Sequence, residues 1–130
     1  MRELKFRGKR FGGHEHWIYG TLITDPFGNF YIHKKLSIDN LPVKPETVSQ
    51  FIAEGKFGVE YYEGDILWDE RNECYWVLSW DDELHAFRRE ELTPDGGGIS
   101  ESAEMLDEDI IGNLWDTNID ELFESTKKDN

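Results

Sequence analysis

Tyr61-Tyr62-Glu63-Gly64-Asp65-Ile66-Leu67-Trp68 is the stretch that decides the fold. Gly64 permits a tight bend and a close backbone approach, and Asp65 can accept from nearby backbone N–H groups, so the pair starts a strand. Ile66 and Trp68 then point to one face and Leu67 to the other. Downstream, a turn at Asp69-Glu70-Arg71-Asn72-Glu73 leads to Cys74-Tyr75-Trp76-Val77-Leu78-Ser79-Trp80, and a second at Asp81-Asp82-Glu83 leads to Leu84-His85-Ala86-Phe87-Arg88. This pattern predicts a meander of three short antiparallel strands. Trp76, Leu78 and Trp80 share one face of the middle strand; Tyr75, Val77 and Ser79 share the other.

Upstream, Leu4 and Phe6 alternate with Glu3, Lys5 and Arg7, which predicts a strand with one apolar and one charged face. Trp17 to Leu22 and Phe30-Tyr31-Ile32 flank Asp25-Pro26-Phe27-Gly28-Asn29, where Pro26 pre-sets a turn and Gly28 accepts positive φ: a β-hairpin. Lys34 to Pro45, with Pro42 and Pro45, reads as a surface loop. Glu46 to Gly55 fits helix and strand alike, because Val48, Phe51 and Ile52 have helical spacing yet are β-formers. Beyond the meander, Glu90 to Glu108 lacks a strand pattern, and Pro94-Asp95-Gly96-Gly97-Gly98 reads as a flexible loop. Ile110 to Trp115 is a last strand. Thr117 or Asn118 can cap a short helix carrying Ile119, Leu122 and Phe123, followed by a polar tail from Ser125 to Asn130.

The chain has 130 residues, 38% hydrophobic and 14% aromatic, with a formal net charge of −14. Five Trp, five Tyr and eight Phe are more than a disordered chain carries. No apolar run approaches the roughly 20 residues that span a bilayer, and the basic N-terminus lacks a signal peptide's apolar stretch, so a cytoplasmic protein with no membrane partner is expected. A lone cysteine, Cys74, excludes an intrachain disulfide and an all-cysteine metal site. Charge is divided along the chain: residues 1–59 carry nine Lys+Arg and six Asp+Glu, while residues 60–130 carry five and 22.

Lys5-Phe6-Arg7, Tyr62-Glu63-Gly64-Asp65-Ile66 and Asp109-Ile110-Ile111-Gly112-Asn113-Leu114-Trp115, followed by Ile119 and Leu122, occur in an order that resembles the YopX family of phage and prophage proteins. The resemblance spans roughly Leu4 to Leu122. It implies a mainly β fold: an N-terminal β segment with a hairpin (residues 1–57), an SH3-like small barrel (residues 58–124) with a short C-terminal helix, and a polar tail (residues 125–130), together one domain. It also implies an extended segment at Thr47 to Ile52, a bacterial host cell as location, and no established activity. Ala53-Glu54-Gly55-Lys56-Phe57-Gly58-Val59 departs from the linker that many members carry.

Candidate chemistry is sparse. Glu63 and Asp65 form a same-side carboxylate pair, which a turn that starts a strand explains without a substrate. His14 and His16, with His33 across the hairpin, are spaced to bind a divalent metal, but loop histidines need no metal. Cys74 and His85 lie on strands expected to pair and can approach as thiol and base. Gly96-Gly97-Gly98 lacks the lysine of a phosphate loop. The expectation is therefore no enzyme, no cofactor and no metal.

For partners, Arg7, Trp76, Trp80 and Trp115 are the candidate interface residues. A barrel this small cannot hide every Trp, so a homo-oligomer is expected, with a host or phage protein as further partner. Arg2, Lys5, Arg7, Lys9 and Arg10 with exposed aromatics offer the alternative of a nucleic-acid-binding barrel, disfavoured by the charge of −14. The acidic second half, in runs such as Trp80-Asp81-Asp82-Glu83-Leu84, suggests a nucleic-acid mimic acting on a host protein. Acidic turns that keep an aromatic protein soluble explain the same residues.

Overall fold

The computed structural model describes residues 5–11, 16–55, 58–94, 96, 98–103 and 106–128, with side chains to Glu124. Among the described residues the chain is mainly β, with two antiparallel sheets and one α-helix, and its contacts divide it into two compact units, Met1–Ile52 and Ala53–Asn130. The division lies a few residues before the expected 57/58 boundary.

In the first unit the strands are β1 (Phe6–Lys9), β2 (Trp17–Thr24), β3 (Phe30–His33) and β4 (Asn40–Val43), with β5 (Ser49–Glu54) beginning at its end. They are adjacent in the order β4-β3-β2-β1-β5. The expected hairpin joins β2 to β3, with Thr24 opposite Phe30. Asp25 builds its turn, accepting the N–H groups of Phe27 (2.9 Å) and Asn29 (3.0 Å). The stretch expected to be a loop, Lys34 to Pro45, contains β4, which carries Pro42 opposite Tyr31. A proline that cannot donate is tolerated there because β4 stands at the edge of the pairing order. A bridge between Arg10 and Val43, and a 2.8 Å hydrogen bond from the Lys44 N–H to the Lys9 carbonyl, bring the end of β4 back to β1. The end of β4 thus meets the end of β1 without a ladder between the two strands. Ile18, Ile32 and Val43 are buried together, packed by Phe6, Leu22, Phe30, Leu41 and Val48.

The ambiguous segment resolves as a 3-10 turn, Pro45–Thr47, followed by β5. Of the segment expected to be extended, Thr47 to Ile52, Thr47 belongs to the turn and Ser49 to Ile52 lie in β5.

The polar face of β1 is the larger surprise. Arg7 and Lys9 are 5% and 7% exposed, against the expectation of an outward charged face. The Arg7 guanidinium lies 4.4 Å from the Trp17 ring centroid and its Nε donates to Ser49 Oγ at 3.0 Å. A guanidinium is weakly hydrated and stacks on aromatic faces, which lowers the cost of burying it. The Lys9 backbone N–H donates to Thr47 Oγ1 at 2.9 Å, so the 3-10 turn is tied to β1 by the side chain of its last residue.

The second unit holds β6 (Glu60–Tyr62), β7 (Asp65–Asp69), β8 (Cys74–Asp81), β9 (Ala86–Leu92), β10 (Ser100–Ser102), β11 (Asp109–Asn113) and α1 (Ile119–Lys128). Five of these strands form a sheet in the order β10-β9-β8-β7-β11. The meander is present as β7-β8-β9, and β9 runs on to Leu92 while β10 adds a further strand, both inside the stretch expected to lack strands. Among the described residues this order is open, with β10 and β11 at its ends.

The bend between β6 and β7 follows the chemistry of Gly64-Asp65. Gly64 sits at φ +84°, and a Cβ there would fall 2.5 Å from Cη2 of Trp115 and closer still to Cζ3. Its N–H donates to the Leu78 carbonyl at 2.7 Å, its carbonyl accepts the Leu114 N–H at 2.9 Å, and Asp65 Oδ2 accepts the Tyr62 N–H at 2.8 Å. Tyr61, Tyr62, Ile66, Leu67, Trp76, Val77 and Leu78 are all buried.

The last strand carries a bulge: Ile110 pairs with Leu67 and Gly112 with Ile66, which leaves Ile111 unopposed. Asn118 caps α1, its Oδ1 accepting the Glu121 N–H at 3.2 Å, as expected. The helix runs on to Lys128, so most of the expected tail from Ser125 is helical; residues 129–130 lie outside the described ones. Phe123 meets the Tyr75 ring edge-on at 5.7 Å, and Tyr75 in turn lies against Trp68 at 4.9 Å with the rings tilted by 53°. No helix among the described residues is long and apolar enough to cross a membrane.

Candidate functional site

A cleft of about 610 Å³ opens in the second unit, between the β7–β8 turn, Arg89 of β9 and the Asp107–Asp109 segment that leads into β11. Five carboxylates line it: Asp69, Glu70, Asp107, Glu108 and Asp109.

Asp69 ends β7 and organises the turn. One oxygen accepts the N–H groups of Arg71 and Asn72, both at 3.1 Å; the other accepts Asn72 Nδ2 at 2.8 Å and the Trp76 indole N–H at 3.1 Å. These donors, Asn72 foremost, outweigh the effect of burial and hold the carboxyl at a pKa of about 2. It is ionised throughout the neutral range and too weakly basic to take a proton from a substrate.

Arg89 forms the opposite wall. Its guanidinium lies 4.2 Å from the Trp76 ring centroid, its Nε and Nη2 both donate to Glu101, the first at 2.7 Å, and its Nη1 donates to Glu108 at 2.5 Å. Burial opposes the charge, but the hydrogen bonds that the guanidinium donates to Glu101 and Glu108 overcome it and raise the pKa above the usual arginine value. Glu101 stands directly opposite Arg89 in the β9–β10 register, which makes the pair a cross-strand contact. The Tyr61 hydroxyl donates to the Glu108 carbonyl at 2.6 Å, and burial together with the carboxylates of Glu108, Asp107 and Asp109 raises its pKa.

Asp69, Glu108 and Arg89 thus fix the walls, while Glu70, Asp107 and Asp109 are exposed at the rim. Such an arrangement attracts cations and orients no nucleophile. Among the described residues, no three His, Cys, Asp or Glu side chains are grouped to hold a metal ion.

The residues singled out from the sequence fall elsewhere. Asp65 is 1% exposed and Gly64 is buried, and Tyr62 to Ile66 forms the bend from β6 into β7, with Glu63 in its turn. Cys74 and His85 do not approach as catalytic partners: Cys74 begins β8 opposite Asp69, whereas His85, at φ +49°, lies in the turn after its other end. His14 lies outside the described residues; His16 is exposed, and His33 Nδ1 is engaged with Asn40 Oδ1 at 2.8 Å.

Of the candidate interface residues, Arg7 and Trp76 are buried and offer no free surface, which corrects the expectation for both. Trp80 is half-buried, edge-on to Phe87 at 4.9 Å, with its indole N–H given to Asp82 at 2.8 Å. Trp115 is half-buried beside Gly64. Among the five basic residues proposed for nucleic acid, Arg7 and Lys9 are buried, Lys5 lies 5.8 Å from the Phe51 ring centroid, Arg10 is exposed, and Arg2 lies outside the described residues. The run Asp81-Asp82-Glu83-Leu84 is a turn in which Asp81 Oδ1 accepts the N–H groups of Glu83 (2.9 Å) and Leu84 (3.1 Å).

Asp69, Arg89, Glu101 and Glu108 were not singled out in the sequence. The available signals were an Asp followed three residues later by Asn in a turn, and an Arg within a strongly acidic half. No protein-family model, curated protein or solved structure matches the chain.

Proposed function

We propose that the chain is a non-enzymatic protein-interaction module, YopX-like and borne by a phage or prophage, whose acidic second unit receives a basic segment of a protein in the host cytoplasm. One observation carries the reading: in a unit with six Lys+Arg against 23 Asp+Glu, a cleft has walls locked by internal hydrogen bonds and a rim of exposed carboxylates. Fixed charges of one sign around a concavity raise the local concentration of opposite charge and speed encounter. Preformed walls reduce the ordering cost of binding. The pKa of Asp69 and the engagement of Arg89 argue against acid–base work at the same place.

Self-association is a second reading, favoured by exposed apolar side chains on and next to β11: Ile110, Ile111 and Leu114. Binding of nucleic acid through the N-terminal strand is disfavoured by the burial of Arg7 and Lys9.

The test is a two-dimensional amide NMR titration of the whole chain with a short lysine- and leucine-containing peptide at low and moderate salt. Shifts concentrated at residues 68–72 and 107–109 are expected. Shifts spread evenly over all acidic turns, or none at low salt, would refute the reading.

A further inference from the structure

The loop between β3 and β4 is the most exposed apolar feature of the described chain. Leu36 is 99% exposed and Ile38 96%, and Lys34 and Lys35 beside them are exposed as well. A soluble chain leaves single apolar side chains in water routinely, but two nearly bare ones within three residues, flanked by cations, form a patch.

The loop is also held in shape. Leu36 adopts φ +66°, a left-handed conformation that a leucine visits at a cost. The Ser37 N–H donates to the Lys34 carbonyl at 3.1 Å, and the Asp39 N–H to Ser37 Oγ at 3.2 Å. At the base, His33 and Asn40 are hydrogen-bonded across the two strands. Strain spent on displaying a leucine to solvent points to a surface that the leucine fits.

The rim of the acidic cleft has the complementary pattern. Glu70 and Asp109 are exposed there, and the chain continues from Asp109 directly into exposed Ile110 and Ile111. Carboxylates followed by aliphatic side chains mirror Lys34-Lys35 followed by Leu36 and Ile38. The two patches lie on units of opposite charge balance, eight Lys+Arg against five Asp+Glu in the first and six against 23 in the second.

We propose that the 34–39 loop of one copy docks at the acidic cleft and β11 of a second copy, Lys34 and Lys35 against the carboxylates and Leu36 and Ile38 against the isoleucines. This rests on the interaction-module reading and names its partner as the chain itself. Each copy carries both patches, so each copy can give its loop to a neighbour and accept a loop in its own cleft.

Sedimentation velocity of the whole chain over a concentration series, at low and high salt, is the experiment. Wild type associates at low salt and dissociates as salt screens the contact. Leu36→Gly suits the left-handed backbone and so stays folded; it weakens association by about tenfold or more, the scale of one lost apolar anchor. Lys34→Glu/Lys35→Glu and Glu70→Lys/Asp109→Lys are each monomeric alone, and an equimolar mixture of the two associates again, because each reversed patch meets its reversed partner. A wild-type monomer at every concentration and salt overturns the proposal, as does association that either charge-reversed variant leaves unchanged. If the lysine- and leucine-containing peptide still shifts residues 68–72 and 107–109 of a monomeric wild type, the interaction-module reading stands and only the second copy as partner falls.

Discussion

Replacing Gly64 by alanine tests the bend on which the second unit turns. Two penalties combine. A non-glycine residue at φ +84° costs roughly 1–2 kcal/mol for the left-handed backbone. The new methyl would stand 2.5 Å from Cη2 of Trp115, well inside van der Waals contact, and forcing the indole aside adds about 1–3 kcal/mol. Neither can be relieved cheaply by rotating the peptide, because the Gly64 N–H and carbonyl are both engaged, with Leu78 at 2.7 Å and Leu114 at 2.9 Å. The expected loss is about 2–5 kcal/mol, read by urea unfolding followed through tryptophan fluorescence and confirmed by thermal melting. Trp115→Leu in the same chain should return the steric part, giving a coupling of about 1 kcal/mol or more, while the backbone part persists. A Gly64→Ala variant within about 0.5 kcal/mol of wild type, the range of ordinary surface substitutions, would refute the reasoning.

Three further outcomes are expected. The Asp69 carboxyl, held at about 2 against an ordinary 3.8, contributes stability that is present above about pH 5 and lost as pH falls toward 2. Asp69→Asn should therefore lower stability at neutral pH and flatten the acid limb of the pH–stability curve; an unchanged limb would show that other carboxylates dominate it. Arg7→Ala should destabilise the first unit by about 1–3 kcal/mol, since it removes the stacking on Trp17 and the bond to Ser49, whereas a solvent-facing, phosphate-binding arginine would leave the melt unchanged. Burial, then the charges of Asp69 and Glu91, raise the Cys74 thiol above its ordinary value, so iodoacetamide at pH 8 should modify the native chain more slowly than the urea-unfolded one; equal rates would contradict it.

Local chemistry was the legible part of this fold. Gly64-Asp65, the Asp25 turn, the β7-β8-β9 meander and the Asn118 cap each depend on residues within a few positions of one another, and each is where the sequence places it. What escaped depended on partners far along the chain. Alternation assigns Arg7 and Lys9 to water, whereas Trp17 and Ser49, ten and 42 positions from Arg7, help make the burial of its guanidinium tolerable. β4 was hidden by Pro42, whose missing donor matters only away from the edge of a sheet. β10 is Ser-Glu-Ser, with no apolar residue to mark it, and is placed instead by the pairing of Glu101 with Arg89. The walls of the cleft were unreadable for the same reason: Arg89, Glu101 and Glu108 are 12 and 19 positions apart from the arginine outward, and no local rule joins them.

The unopposed Ile111 of β11 decides how this chain can be approached along that border. A regular border strand offers evenly spaced main-chain donors and acceptors that any extended polypeptide can copy, and copying of that kind propagates into fibres. An extra residue breaks the spacing, so an incoming chain finds greasy side chains to rest against but no ruler to extend. The protein can present two isoleucines to the solvent and still resist stacking without limit, leaving recognition there to shape and charge.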